Sequence, residues 1–366
     1  MASRGKVDKP FLLASIILMV AGFFIFSSAS LGLLAKEVSN YSSIAFSQTV
    51  FGLFFGTIAM VIASRLNPNI WRKLAFYIFL VAIIVNILVL IPGIGFEHAG
   101  ARRWIIVFGI SFQTSEVLKL AFIIYFAAWA ASVKDKIKTF RSGFLPLLIL
   151  LAISTILLIQ QPDTDNLILI ITAGMAMFIA VGGKWRYVLV TILAAMIGLS
   201  ILFFTSPYIK ERITTFFNPE VDIQGASYQI KQSLIAVGSG GLFGRGFGQS
   251  VQKFTYLPEP IGDSIFAVAA EEFGFVGSVS LIALFVLFGA RGLKIASKVP
   301  NVFGRLVVVG IVIMIVSQAF VNIGAMLGVI PLSGITFPFV SHGGTSLFIT
   351  LLEVGIVLSI SRTKES

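Results

Sequence analysis

Ten stretches of this chain run for about 20 residues with almost no charge, and that pattern restricts the fold more than any motif does. They lie at roughly residues 11–34, 43–64, 74–94, 115–132, 143–161, 166–182, 187–206, 264–290, 304–326 and 344–361. Lipid offers backbone N–H and C=O groups no partner, so apolar runs of this length are predicted as membrane-spanning helices. The composition agrees: 57% of residues are hydrophobic and 12% are charged, against about 25% charged in ordinary globular chains. The predicted fold is all-α, a polytopic membrane protein of about ten transmembrane helices forming one domain over residues 1–366.

An even number of spans puts both termini on one side. If that side is cytoplasmic, the inner segments hold 18 of the 27 basic residues and three acids, Asp8, Asp135 and Glu365. The outer segments hold eight basic residues and nine acids. Excess Lys and Arg inside fixes the orientation, with both termini cytoplasmic. The net charge of +11 is therefore a topology signal and not a nucleic-acid one. Trp71 and Trp185, beside basic inner turns, suit interfacial anchors. Arg4, Lys6 and Lys9 precede the first stretch as in a signal peptide. That stretch exceeds the usual apolar core of about 7–15 residues, however, and no clean A-x-A site follows, so a retained helix is expected. With no Cys and only His98 and His342, disulfides, thiolate metal centres and multi-histidine metal sites are excluded.

The outer connections at 95–114, 207–263 and 327–343 are long, polar and rich in Gly and Pro, and the largest joins helices 7 and 8. Long loops of this kind carry function, so chemistry is expected on the outer face. Glu116 and Lys119 stand three apart on one helical face. A lone charge at the bilayer centre costs about 2.5–3.5 kcal/mol. The two read either as a structural pair snorkelling at the membrane edge or as the wall of a substrate cavity. Glu271 and Glu272 lie roughly 12–14 Å along a helix from Asp263; they and Glu353 read as partners of buried Lys or Arg.

Asp163 and Asp165 sit in the short turn QQPDTDN, where Pro and Asp explain the turn itself. Asp263 closes the longest loop in KFTYLPEPIGDSIFAVAAEEFG, as a helix N-cap, a functional acid or both. Arg102, Arg103 and Trp104 form a compact basic and aromatic cluster, read as a phosphate clamp or a headgroup anchor. The glycine-dense VGSGGLFGRGFG at 237–248 is not a Walker loop and reads as a flexible or re-entrant segment.

Four of these motifs, in this order, resemble those of the SEDS family, the FtsW, RodA and SpoVE proteins of bacterial wall synthesis. They are GARRWI with FQTSEVLKL (100–120), QPD (161–163), YQIKQSLIAVGSGGLFGRGFGQSVQKFTYLPEPIGDSIFAVAAEEFGFVG (228–277) and NIGAMLGVIPLSGITFPFVSHGGTSL (322–347). The chain departs from the family pattern at Thr114, at Asp165-Asn166 in place of Gly-Thr, at Ser264 and at His342. The resemblance implies ten spans and a peptidoglycan glycosyltransferase of the cytoplasmic membrane that polymerises lipid II, an undecaprenyl-pyrophosphate-linked disaccharide-peptide. It is nearer the division branch, FtsW, than the elongation branch, RodA. Asp263 matches the family's catalytic loop aspartate. Glu116, Lys119 and Asp163 match functionally sensitive cavity positions, and Arg102, Arg103 and Trp104 fall in the first outer motif.

On that reading the donor carries the energy and no nucleotide is needed. Asp263 serves as the general base, while Lys119 and Arg102, with a divalent cation (Mg or Mn) as a candidate aid, neutralise the leaving pyrophosphate. Inversion at the anomeric carbon is expected. The implied partners are a class B penicillin-binding transpeptidase and other divisome or elongasome membrane proteins; no nucleic acid is expected. The rival reading is a lipid II flippase whose path is lined by Glu116, Lys119, Glu271 and Glu272, and a non-catalytic scaffold is the third.

Overall fold

The computed structural model describes residues 6–36, 38–98, 101–107, 109–133, 136–218 and 225–362. Arg4, Lys134, Asp135, Lys364 and Glu365, used in the charge argument, lie outside these residues. Among the described residues nine helices are long and apolar enough to cross a membrane, and a tenth, Thr164–Ala180, is shorter and apolar. The crossing segments are α1 (Lys9–Lys36), a composite of α2 (Val38–Phe46), a π-helical stretch Ser47–Phe55 and α3 (Gly56–Arg65), α4 (Pro68–Leu88), α5 (Thr114–Ser132), a π-helical stretch Phe140–Phe144 continued by α6 (Leu145–Gln160), α7 (Thr164–Ala180), α8 (Trp185–Thr205), α12 (Ile265–Lys298), α13 (Val302–Met326) and α14 (Gly344–Ser361). Three short helices fill the long outer loop: α9 (Pro207–Phe217), α10 (Ala226–Ser239) and α11 (Gln252–Thr255).

The third span begins earlier than the apolar run at 74–94 suggests. Asn67 accepts a hydrogen bond from Asn69 N (3.0 Å), and Pro68 occupies the first turn, two signals that start a helix. The chain then leaves the helix at Leu88 and forms an antiparallel sheet of β1 (Gly95–His98), β2 (Ala101–Val107) and β3 (Ile110–Gln113) on the outer side. Among the described residues, this sheet departs from the all-α expectation. In β2, ARRWIIV, it is burial and not residue type that alternates: Ala101 and Arg103 are buried while Arg102 and Trp104 are partly exposed, as on a half-buried strand.

Buried α5, α13 and α14 form the centre of the bundle, whereas α8 turns nearly all of its length outward. Glycines allow the second span to lie directly on the last one. A Cβ on Gly52 would come within 3.1 Å of Gly344 Cα, and one on Gly56 within 2.8 Å of Leu351 Cδ1.

α12 is broken at Gly274, whose φ of +67° and ψ of −164° leave the helical region. The glycine-dense outer segment repairs the break. Arg245 and Gly246 N–H donate to the Glu271 and Glu272 carbonyls (both 3.0 Å). Phe275 and Val276 N–H donate to the Gly241 and Leu242 carbonyls (2.8 and 3.1 Å). A Cβ on Gly274 would stand 2.2 Å from Gly244 N, so side chains at this crossing are sterically excluded. Irregular backbone at membrane depth survives only where protein satisfies it, and here the re-entrant loop does so.

Candidate active site

Asp263 lies just before α12. Ser264, and not Asp263, is the N-cap residue, and its side chain makes no capping hydrogen bond. It accepts one from Gln229 Nε2 instead (2.9 Å). The capping reading of Asp263 is therefore corrected, and its carboxylate is left for other work. No hydrogen bond to that carboxylate is found among the described residues. Gly334, in the segment before α14, marks the point where the site converges. A Cβ built there would lie 3.4 Å from Arg212 Nη2, 3.7 Å from Asp263 Oδ2 and 3.9 Å from Arg103 Nη1. One acid and two guanidinium groups thus surround a single spot on the outer side.

Each of these groups is held from behind. Arg103 is buried, and its Nε donates to the Gln161 carbonyl (3.1 Å) while a second nitrogen donates to the Pro162 carbonyl. Its Nη1 stands 4.0 Å from Asp163. Asp163 is buried too, accepting at both oxygens from Asn166 Nδ2 (3.0 and 2.9 Å), which also donates to Ser115 Oγ (3.2 Å). Arg212, on α9, pairs with Asp165 (2.7 Å) and lies 4.4 Å over the Tyr208 ring one helical turn before it. Asp165 accepts from Gly334 N as well (3.0 Å). Asp165 and Asn166, which stand in place of Gly-Thr after the QPD turn, therefore both make contacts that hold the site.

These surroundings set the charge states. Protein crowding around Asp263, and secondly the negative Glu259, push its carboxyl up from 3.8 to about 7; Arg212 offsets part of the rise. The side chain keeps partial solvent access. Burial opposes the charge on Arg212, but Asp165 and Tyr208 outweigh it and hold the guanidinium above its usual range.

The basic and aromatic cluster divides. Neighbours on a strand point to opposite faces, so Arg103 turns inward while Arg102 faces out and pairs with Glu97 opposite it (2.7 Å, both sides substantially exposed). Trp104, next on the strand, is half-buried. Arg102 is thus corrected from leaving-group clamp to surface ion pair.

Glu116 and Lys119 are joined at 2.8 Å and are almost wholly buried, which rules out snorkelling at the edge. Lys119 also donates to Gln318 Oε1 (2.8 Å), and Glu353 lies within electrostatic reach of both. Gln318 Nε2 donates to the Thr336 carbonyl (3.0 Å). One turn along α13, Asn322 Nδ2 donates to the carbonyls of Ile335 and Asp263 (both 2.9 Å). The pair therefore reaches Asp263 through a chain of amides and braces the site from below.

Glu271 and Glu272 serve the loop. Glu272 accepts from Ser28 Oγ (2.6 and 2.7 Å) and Lys253 Nζ (2.6 Å), and Glu271 accepts from Ser250 Oγ (2.6 Å) and lies 3.4 Å from Arg245. Among the described residues no three acids or histidines converge to hold a metal ion. Arg212, Tyr208 and Gly334 are the site members that sequence reasoning missed.

Residues 9–366 match the model of the FtsW/RodA/SpoVE family, described as cell cycle protein. The chain belongs to that family. It is 37% identical over 97% of its length to a probable peptidoglycan glycosyltransferase FtsW of Geobacter sp. (strain M18), covering 96% of that protein. It is also 37% identical to the stage V sporulation protein E of Bacillus subtilis (strain 168), covering 97% of each chain. Among solved structures it is similar to a chain of a peptidoglycan synthase complex that coordinates polymerization and crosslinking (TM-score 0.79, 26% identity, 97% of this chain and 98% of that one). It is similar too to the rod shape determining protein RodA of Thermus thermophilus (TM-score 0.67, 26% identity, 96% and 97%). In this family setting, the outer convergence around Gly334 is where a glycosyl-transfer site is to be sought.

Proposed function

We propose that this protein is a peptidoglycan glycosyltransferase that joins lipid II units into glycan strands on the outer face of the cytoplasmic membrane, in the division-type branch of its family. The observation that carries the reading is the Asp263 carboxylate sharing the spot at Gly334 with the Arg103 and Arg212 guanidinium groups. Chain elongation needs a base for the acceptor sugar's 4-hydroxyl, countercharge for a departing pyrophosphate, and alignment of both. The acceptor oxygen bonds to the donor anomeric carbon as the bond from that carbon to the lipid pyrophosphate breaks. The hydroxyl proton passes to Asp263 and then to water, and the anomeric centre inverts.

A base works best when its pKa lies near the working pH, which suits a carboxyl held at about 7. Arg103 and Arg212 take the leaving-group role first considered for Lys119 and Arg102. Among the described residues no three acids or histidines gather where a divalent cation could sit, and no step is assigned to one. A class B penicillin-binding transpeptidase is the proposed partner, in keeping with the synthase complex to which the fold is similar.

The transporter reading has less support. Glu116 and Lys119 close on each other and Gln318, while Glu271 and Glu272 hold the re-entrant loop, so charges that would line a path are engaged in the fold. Purified protein incubated with lipid II in detergent should yield ladders of glycan, and Asp263→Asn should yield none. Absence of polymer from the wild-type protein, alone and with a transpeptidase partner, would overturn the assignment.

A further inference from the structure

A buried glutamine in the second span is unexplained by the mechanism above. Gln48 is 2% exposed and sits in the π-helical stretch Ser47–Phe55. Single π segments of this kind recur at functional sites, because the extra residue per turn re-aims the side chains within it. The Gln48 amide grips the loop before α14 at two places. Its Nε2 donates to the Ser341 carbonyl (3.1 Å), and its Oε1 accepts from Gly343 N (3.0 Å). That loop in turn holds the backbone leading to Asp263. Ser341 Oγ donates to the Gly262 carbonyl (2.7 Å), and His342 N donates to the Ile261 carbonyl (2.7 Å). With Asn322 on the Asp263 carbonyl, three successive carbonyls at 261–263 are fixed, two of them by the segment that Gln48 clamps.

We infer that Gln48 is a positioning residue that sets the Asp263 carboxylate against Arg103 and Arg212 through Ser341 and His342, without touching substrate. This deepens the polymerase reading and rests on it. The clamp needs one donor and one acceptor on the same planar group. A leucine supplies neither. A neutral glutamic acid supplies both, but loses its donor when it ionises.

The test is turnover of lipid II by the purified full chain, as kcat and KM across pH 5.5 to 8.5. Gln48→Leu should lower kcat about tenfold or more, as displacement of a reacting group does, with KM changed less than about twofold. Gln48→Glu should approach wild-type kcat at the acid end and fall away towards pH 8.5, adding an alkaline limb that the wild type lacks. A Gln48→Leu protein with wild-type kcat, or a Gln48→Glu profile of wild-type shape, would overturn the inference. Should Gln48→Leu fail to fold, the Gln48→Glu profile decides alone. If wild-type protein makes no polymer, the glycosyltransferase reading fails first; polymer from wild type and both variants at equal rates sinks the Gln48 role only.

Discussion

Two carboxylates a few turns apart on one stretch of chain are treated in opposite ways. Glu272 is deeply buried, yet Ser28, Lys253 and the Ser250 N–H all direct protons at it. Asp263 is more open, yet its carboxylate oxygens have no hydrogen-bond donor among the described residues, and Glu259 and Asp165 add to its negative surroundings. A buried charge that is fully paired is part of the scaffold, whereas one left crowded and unpaired holds proton affinity in reserve. The contrast separates an acid built into the scaffold from the acid proposed to do the chemistry.

The sharpest break in that comparison is Asp263→Asn. Loss of a general base costs about 10²–10⁴ in rate, read as polymer formed per minute, while the protein should stay folded. The sign of the stability change follows from the raised carboxyl. Folding favours its protonated form, a contribution complete below about pH 3.8 and lost as pH rises through about 7. The ionised acid therefore costs stability at pH 8, so the Asn variant should melt higher than wild type there and level with it near pH 4.

Lys253→Met should do the reverse. It strands Glu272 in the interior, and breaking a buried pair costs about 3–5 kcal/mol. The expected result is a lower melting temperature in detergent, with much of the loss recovered in the double variant Lys253→Met/Glu272→Leu.

Gly334→Ala probes the open spot itself. The added methyl meets its neighbours at 3.4 Å or more, so the fold accepts it. It occupies the space shared by the acid and both guanidinium groups, and activity should fall about tenfold with the melting temperature unchanged. Arg102→Ala is the smallest change: an exposed pair contributes about 0–1 kcal/mol, and turnover should stay within about twofold of wild type.

Much of this architecture is legible in the sequence, because lipid leaves apolar length and Lys/Arg placement as nearly the only variables. The Asp263 loop and the QPD turn are legible as motifs. The strand at 101–107 is not: reading Arg102 and Arg103 as one cluster overlooks the two-residue period that sends them to opposite faces. Arg212 and Tyr208 are hidden for another reason. They lie on a short helix inside a long loop, and only tertiary docking of that helix brings Arg212 to Asp165. Glu271 and Glu272 are readable as partners of some buried cation, but Lys253 reaches Glu272 only because the chain re-enters at a broken helix. Gly334 matters for the space it leaves, which no local pattern encodes.

The most direct test of the division between scaffold acid and chemical acid is the pH dependence of kcat for lipid II polymerisation by the purified protein. If Asp263 accepts the acceptor's proton, kcat rises about tenfold per pH unit below its pKa and levels off above about pH 7. Any residual rate of Asp263→Asn should lack that limb. A flat profile from pH 5.5 to 8.5, or the same acid limb in the Asn variant, would contradict the account.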